Sequence, residues 1–348
     1  MSFAEKLKAR STIKSTEMLK DSLLFEDRGV VPLEIPALNI AFSGKLDGGM
    51  KMGVTTFAGP SKHFKTLFAL LCAKSYMNEY PDAALLFYDN EFGTPSDYFK
   101  SVGIDMNRTV HTPITDIEQL KHDMLNQLRA CTRGDRLVII VDSIGNIASK
   151  KELDDADEGK TVQDMTRAKQ IKSLMRMVSP LISILDISLI MVNHVYQTQE
   201  MYSKTVMTGG TGVVYNSNNI FYITRAQDKD GDDLAGYKFT ITVEKSRFCR
   251  EGSKIGIVVG FDSGINKWSG LFDMALESGH IVPVTKQTYA VAKFPEKTFK
   301  RKATDTKEFW TPILTDPRFL SWIENRYIIS NGSLMANMDT ISTENNNV

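Results

Sequence analysis

One stretch, VTTFAGPSKHFKTL from Val54 to Leu67, constrains most strongly what this chain can fold into. An apolar run enters a turn at Gly59, and the turn leads into a Lys-Thr pair that opens an amphipathic segment. A strand, a turn with inward-facing N–H groups and a helix N-terminus together form a phosphate-binding loop. Lys65 would then contact the outer phosphates, and the Thr66 hydroxyl would hold a magnesium ion, as in the pattern G-x-x-x-x-G-K-[ST].

The loop departs from that pattern at its sixth residue, which is Phe64 where the pattern has a second glycine. We expect Phe64 to take a helical φ with its ring turned away from the loop. A Lys-Thr pair at an ordinary helix start is the alternative interpretation, and the stretch alone does not decide between the two. The predicted nucleotide-binding residues of the loop are Gly59, Pro60, Ser61, Lys62, His63, Phe64, Lys65 and Thr66.

Length and composition indicate a globular protein with one main domain and smaller attachments. The 348 residues are 42% hydrophobic and 24% charged, and the longest apolar run is broken by Asp186. That run is too short to span a bilayer, so we expect no membrane partner and a cytoplasmic location. The three cysteines, Cys72, Cys131 and Cys249, lack metal-binding spacing and predict small buried thiols. Because the net charge is zero, any DNA must bind local basic patches.

Downstream of the loop, apolar strands alternate with helical patterns, which predicts an α/β fold with a parallel sheet. Polar residues end three of these strands: ALLFYD ends in Asp89-Asn90-Glu91, RLVIIVDSIG finishes on Asp142-Ser143, and SLIMVNH ends in Asn193-His194. Ligands collect at the carboxyl edge of such a sheet. Asp142 is therefore a candidate for holding magnesium through its water shell, and Glu91 for activating water. Either acid could instead cap the helix that follows it.

The remaining segments carry simpler predictions. The polar run from Lys150 to Asp164 predicts a mobile loop, and a helix over 166–178 follows it. Residues 195–212 predict a long functional loop with two tyrosines and a glycine cluster. From Ile220 the pattern alternates and predicts antiparallel strands.

The order of LNIAFSGKLDGG, GPSKHFKT, YDNEF, VIIVDSIG, MVNH, TGGTG and VEKSR resembles the RecA family of strand-exchange recombinases. The resemblance is greatest to the branch from T-even-type bacteriophages. That branch also lacks the second glycine and ends the strand in Asn-His where bacterial RecA has Asn-Gln. The resemblance is strong over about 31–279 and looser at both ends. It implies a RecA-like P-loop ATPase core whose mostly parallel central sheet is extended by antiparallel strands.

By position, the resemblance implies roles for single residues. Glu91 would be the catalytic base, Asp142 the acid on the magnesium side, and His194 the sensor of the γ-phosphate. Tyr98 would stack on the adenine, so the implied cofactors are ATP and Mg²⁺. The catalytic set would be completed by Lys65 and by two basic residues that reach the ATP of a neighbouring subunit, Lys245 and Arg247.

The resemblance also implies two DNA loops, near 150–163 and 195–212. The first loop is acidic, so we expect DNA phosphates to meet the basic stripe of the next helix instead. In the second loop, aromatic side chains would lie against bases, and glycines would let backbone N–H groups approach phosphates. The predicted DNA-binding residues are Lys169, Lys172, Arg176, Tyr196, Tyr202, Lys204, Gly209 and Gly210.

The implied function is a DNA-dependent ATPase that forms helical homopolymers on single-stranded DNA. It would exchange strands with homologous double-stranded DNA in recombination, repair and recombination-dependent replication. Mediator and single-stranded-DNA-binding proteins are further implied partners, and a phage-encoded chain would act in the host cytoplasm. A RecA-fold ring helicase and a non-hydrolysing ATP-binding assembly protein are the alternatives.

Three domains are predicted. A helical, basic N-terminal arm over 1–32 would dock on a neighbouring subunit, and the RecA-like core would span 33–279. A small C-terminal domain over 280–348 would carry a basic cluster at 293–302, one helical stretch at 310–329 and a disordered Asn-rich end.

Overall fold

The structure is a computed structural model that describes residues 1–13, 15–22, 24, 29–160, 166–198 and 203–329. The helices of these residues are α1 (Phe3–Arg10), α2 (Pro36–Ser43), α3 (Lys65–Glu79), α4 (Ser96–Val102), α5 (Ile117–Ala130), α6 (Lys150–Asp157), α7 (Thr166–Leu185), α8 (Thr211–Asn216), α9 (Leu271–Glu277), α10 (Lys307–Leu314) and α11 (Pro317–Tyr327). The strands are β1 (Gly53–Ala58), β2 (Ala84–Asp89), β3 (Thr109–Pro113), β4 (Leu137–Asp142), β5 (Ser188–Asn193), β6 (Val195–Gln197), β7 (Thr205–Met207), β8 (Asn219–Asp230), β9 (Asp233–Lys245), β10 (Lys254–Gly260), β11 (Gly264–Ile265), β12 (Ile281–Pro283), β13 (Tyr289–Val291) and β14 (Phe294–Phe299).

The chain forms two compact units, and the first comprises residues 1–34 and 50–224. Its sheet has the strand order β8-β1-β5-β4-β2-β3, and every neighbouring pair is parallel. Strands β1 and β5 are buried at every residue, as continuous apolar runs predict for central parallel strands. Helices α5 and α7 pack their apolar faces into the core of this unit.

The parallel register fixes where the strands end. Ala58 at the end of β1 is aligned with Asn193 at the end of β5, and Asp89 is aligned with Asp142. The residues that follow these strands therefore collect at one edge of the sheet.

The second unit comprises residues 35–49 and 225–348. It contains the antiparallel strands β9, β10 and β11, a separate antiparallel sheet β12-β13-β14, and α2, α9, α10 and α11. Phe239, Trp310 and Phe319 are among its fully buried side chains. Across the two units, the predicted α/β class with a mostly parallel sheet and added antiparallel strands is confirmed. The predicted division into arm, core and C-terminal domain stays a prediction.

Two further expectations from composition concern the described residues. No helix there combines the length and the apolar composition needed to cross a bilayer. All three cysteines are free: Cys72 and Cys249 are buried, and Cys131 is half-buried.

Two predicted loops differ in the structure. Residues 150–157 of the predicted first loop form helix α6, because Ser149 and Glu152 make a reciprocal capping box at its start. Residues 161–163 of that loop lie outside the described residues. The predicted second loop contains the hairpin β6-β7 and the short helix α8.

The chain termini also differ from their predictions. Among the described residues of the N-terminal arm, an α-helix spans Phe3–Arg10 and a 3₁₀ helix spans Leu19–Asp21, and no residue of either helix is buried. The stretch predicted as one helix from Trp310 is two helices, because Asp316 accepts a hydrogen bond from Arg318 N and Pro317 begins α11. The Asn-rich end, from residue 330 onward, lies outside the described residues.

The prediction for Phe64 is wrong. Its φ is 54° and its ψ is 28°, in the left-handed region where glycine is the usual residue. The loop therefore keeps the backbone conformation that the missing glycine would favour, and the side chain adds strain of about 1–2 kcal/mol.

Comparing Phe64→Gly with Phe64→Ala isolates this strain, because both variants lack the ring. We expect the glycine variant to be more stable by about 1 kcal/mol in urea unfolding, since only alanine retains the left-handed penalty. At Ala69, inside α3, the same comparison should give the opposite sign, because glycine weakens a helix interior. Equal stability of the two Phe64 variants would contradict the strain.

Candidate nucleotide-binding site

The loop that joins β1 to α3 has two positions with positive φ, Lys62 at 61° and Phe64 at 54°. Such alternation turns successive N–H groups toward one side and forms an anion-binding concavity. Gly59 is required for a different reason, since a Cβ there would lie 2.7 Å from the Ile223 carbonyl oxygen. The loop faces a cavity of about 180 Å³ that is also lined by residues of other elements, among them Glu91, Tyr98 and His194.

Lys65 is buried at the first position of α3. Its Nζ donates a hydrogen bond of 2.8 Å to the Pro60 carbonyl of the loop. Burial lowers the pKa of the ammonium group, and the nearby carboxylates of Glu91 and Asp142 oppose that shift. The side chain is thus a partly desolvated cation beside two acids, at a helix N-terminus of the kind that binds anions.

Asp142 is buried at the end of β4, where the Thr66 hydroxyl donates to its Oδ2 at 2.7 Å. Its Oδ1 is buried and has no hydrogen-bond partner. Burial is the main cause that raises the pKa of this carboxyl to about 6. Asp142 does not cap the helix that follows it, because Ser149 is the N-cap of α6. An unpartnered carboxylate oxygen beside a hydroxyl fits Mg²⁺, which prefers oxygen ligands and few protein contacts.

The described residues contain no group of three or more His, Cys, Asp and Glu that could hold a metal by themselves.

Glu91 follows β2 and has an unusually well-hydrogen-bonded carboxylate. Its Oε1 accepts from the Ser143 hydroxyl, from Asn146 Nδ2 at 3.0 Å and from His194 Nε2 at 2.8 Å. The hydrogen bond from His194 is the largest cause that lowers the pKa of Glu91 to about 2; burial acts in the opposite sense. Glu91 does not cap a helix: Asp89 holds the turn by accepting from the backbone N–H groups of Glu91 and Phe92.

Sequence reasoning missed the residues that hold these groups in place. Ser143 and Asn146 come directly after β4, where their polar character next to Asp142 was the available signal. Asn193 is fully buried at the end of β5, and its carbonyl accepts from the backbone N–H of Gly59 in the loop.

Tyr98 on α4 lines the same cavity, and burial, followed by the nearby charge of Asp142, raises its pKa to about 12. Lys245 and Arg247 belong to the second unit, at the end of β9 and two residues beyond it. Burial and then the neighbouring Arg247 lower the pKa of Lys245. Arg247 is exposed and makes no ion pair with a described carboxylate.

The predicted basic stripe lies on one face of α7. Lys169, Lys172 and Arg176 are all exposed, and none forms an ion pair with a described acid. Tyr196 on β6 is half-exposed and Lys204 is exposed just before β7. Tyr202 lies outside the described residues.

Of the glycine cluster in the second loop, Gly209, which was predicted to contact DNA, and Gly212, which was not, pack closely against α7. A Cβ at Gly209 would lie 3.0 Å from Ile171, and one at Gly212 would lie 2.7 Å from the Lys172 Cα. Gly209 and Gly210 also have positive φ, at 86° and 76°. These small residues let the end of the second loop and α8 approach α7 closely.

The raised pKa of Asp142 gives a testable dependence of stability on pH. In the folded protein the pKa is about 6, against an ordinary value of 3.8. The contribution to stability is therefore fully present below about pH 4 and is lost as pH rises through about 6. Relative to wild type, Asp142→Asn should gain about 2–3 kcal/mol of unfolding free energy between pH 4 and pH 7.5.

Urea unfolding of both proteins at several pH values, without nucleotide or magnesium, measures this difference. The exposed Asp97→Asn serves as the control and should show no such trend. A difference between wild type and Asp142→Asn that stays constant with pH would contradict the raised pKa.

Several known proteins are similar to this chain in sequence. A family model described as the C-terminal domain of the bacteriophage T4 recombination and repair protein, UvsX, matches residues 268–323. The recombination and repair protein of Enterobacteria phage T4 is 46% identical over 344 residues, which cover 95% of this chain and 88% of that protein. Protein RecA of Chlorobaculum parvum is 26% identical over 238 residues, covering 67% of each chain.

A crystal structure of the RadB recombinase aligns with a TM-score of 0.46 at 17% identity, covering 63% of this chain and 93% of that one. The family follows from the phage relative, whose similarity covers nearly the whole chain. The chain belongs to the UvsX family of phage recombination and repair proteins, a branch of the RecA-type recombinases.

Proposed function

We propose that this protein is a DNA-dependent ATPase that polymerises on single-stranded DNA and exchanges strands with a homologous duplex. Such a protein would serve recombination, repair and recombination-dependent replication in the cytoplasm of a phage host. The observation that carries the proposal is the meeting of Lys65, Asp142, Glu91 and His194 at one sheet edge, with the second loop starting at the very next residue.

Each side chain at this edge has a role that fits its surroundings. The loop N–H groups and Lys65 would bind the β- and γ-phosphates, and their charge would stabilise the transferring phosphoryl group. Thr66 and Asp142 would hold Mg²⁺, the latter through water. When bound, the ion neutralises charge that develops between the phosphates. Tyr98 lies where its ring could stack on the base.

Glu91 would orient and activate the attacking water. A carboxylate whose pKa is about 2 is a weak base, and the hydrogen bond from His194 is the main cause. If His194 turns its Nε2–H to a γ-phosphate oxygen, Glu91 loses that donor and becomes more basic. The same movement signals the nucleotide state to the strand and loop that follow.

The DNA surface would combine the exposed stripe of α7 with the hairpin of the second loop. Lys169, Lys172 and Arg176 offer charge without described acidic partners, which suits sequence-independent contact with phosphates. Tyr196 is half-exposed on the hairpin and could stack on an unpaired base. Relatives named as recombination and repair proteins support this assignment.

The chemistry is tested by Glu91→Gln and Lys65→Ala. Glu91→Gln should bind ATP with near-normal affinity but lose turnover by about 10²–10⁴-fold, because the amide cannot accept the water proton. Lys65→Ala should lose turnover together with ATP affinity. Phosphate release and equilibrium ATP binding, with single-stranded DNA present, measure both effects.

The exposed Glu79→Gln is the matched control and should behave as wild type. Wild-type turnover in Glu91→Gln would remove Glu91 from the mechanism. Electron microscopy with ATP and single-stranded DNA supplies an independent readout, since open helical filaments support a recombinase and closed rings favour a helicase.

The active site should also be shared between subunits. Arg247 is exposed and lacks a described acidic partner, which suits a cation that stabilises the phosphoryl group bound by a neighbour. Mixing inactive Lys65→Ala with inactive Arg247→Ala should restore turnover to about a quarter of wild type, the share of intact interfaces in random head-to-tail assembly.

The control mixture is Lys65→Ala with Glu91→Gln. Both defects lie in the first unit, which binds the nucleotide in the proposed site. Every subunit of this mixture then carries one of the two defects in its own nucleotide site, so turnover should stay absent. Polymers of the Lys65→Ala and Arg247→Ala mixture that remain inactive would argue against a shared site.

A further inference from the structure

The second loop leaves the sheet edge and returns to it at the same place. Strands β6 and β7 pair so that Val195 lies opposite Met207. At the base of the hairpin, next to this pair, Thr208 N donates a hydrogen bond of 3.0 Å to the His194 carbonyl. The loop is therefore closed at its base by the residue proposed to sense the nucleotide.

A buried asparagine joins the two sides of this base. Asn193 is fully buried, and its Nδ2 donates to the Thr208 carbonyl at 3.1 Å. Its Oδ1 accepts from the backbone N–H of His194 and from the Thr208 hydroxyl, both at 2.8 Å. One side-chain amide thus contacts both the start and the end of the loop, and the Asn193 carbonyl also accepts from Gly59 of the phosphate-binding loop.

The space around this junction is filled by the segment after β4. A Cβ at Gly145 would lie 2.6 Å from Asn193 Oδ1, 2.7 Å from the Thr208 hydroxyl and 2.9 Å from His194 N. The Gly145 carbonyl also accepts a hydrogen bond from the Arg167 guanidinium near the start of α7. The next residue, Asn146, donates to Glu91. The junction therefore connects the catalytic carboxylate, the sensor strand and the second loop.

The Asn193 side chain is fully buried and makes several of these links at once, so its substitution would remove them together. The Thr208 hydroxyl can be removed without the other links, because its bond is to Asn193 Oδ1 and Thr208 itself is only half-buried. Without it, the end of the loop would follow a shift of His194 less closely, since one connection is lost while the bond from Thr208 N to the His194 carbonyl remains. Interactions of buried polar groups in such a network reinforce one another.

We infer that Thr208, through its hydroxyl contact with Asn193, is a positioning residue that transmits the nucleotide state of the sheet edge to the DNA-contacting hairpin. The inference rests on the proposed function. It assigns the transmission to a side chain that touches neither nucleotide nor the reacting atoms.

The test measures the affinity for a fluorescent single-stranded oligonucleotide at fixed salt, with and without a slowly hydrolysed ATP analogue. Thr208→Val keeps the shape of the side chain and removes the hydroxyl. We expect the analogue-induced gain in affinity to fall by about fivefold to tenfold, the fold-change that corresponds to one buried hydrogen bond. Binding of the analogue without DNA should stay unchanged, and by reciprocity DNA should tighten analogue binding by the same reduced factor.

Two variants separate the hydroxyl from packing. Thr208→Ser restores the hydroxyl and should recover the gain in affinity. Thr311→Val in α10 of the second unit removes an exposed hydroxyl that donates to the Lys307 carbonyl, and it should behave as wild type. If Thr208→Val does not fold, Thr208→Ala tests the same loss without the added methyl group.

The outcomes distinguish this inference from the proposed function. A full analogue-induced gain in Thr208→Val overturns the inference alone, and so does a loss in Thr208→Ser equal to that in Thr208→Val. If wild type itself shows no gain in DNA affinity with the analogue, the proposed function fails.

Discussion

The parallel register of the central strands is the constraint on which the rest of the site depends. Because Ala58 is aligned with Asn193, and Asp89 with Asp142, the segments that leave these strands must share one edge of the sheet. The strand pairing alone then brings residues that are far apart in sequence into contact. Glu91 and His194 are 103 positions apart and lie within 2.8 Å. A slip of one residue in any pairing would turn these side chains to the wrong face.

The charged groups at this edge are partly desolvated, and a bound ligand would stabilise them. Burial removes part of the solvent that stabilises the charges of Lys65 and Asp142. It therefore lowers the pKa of Lys65 and raises the pKa of Asp142. Their mutual attraction offsets part of that penalty. A bound phosphate and a divalent cation would supply the missing partners, which is why the unpartnered Oδ1 of Asp142 argues for a binding site more strongly than the loop motif does.

Sequence reasoning located the strand ends, because buried parallel strands appear as continuous apolar runs and their carboxyl ends share one edge. It failed at Phe64, since nothing in a phenylalanine indicates a left-handed backbone. It also missed α6, although Ser149-x-x-Glu152 is a capping-box signature that charged composition outweighed. Thr208 could not be found at all, because its partners lie 15 and 63 positions away and only the folded chain brings them together.

Under the proposed function, one contact has to serve two purposes. The hydrogen bond from His194 keeps Glu91 a poor base, and it is also the bond that a γ-phosphate must compete for. A nucleotide that draws the histidine away would therefore increase the basicity of Glu91 and move the start of the second loop in a single step. ADP, which lacks the competing oxygens, would leave the histidine on Glu91. Coupling of hydrolysis to DNA binding then needs no long chain of intermediates, because the sensor, the base and the loop stem are consecutive neighbours at one sheet edge.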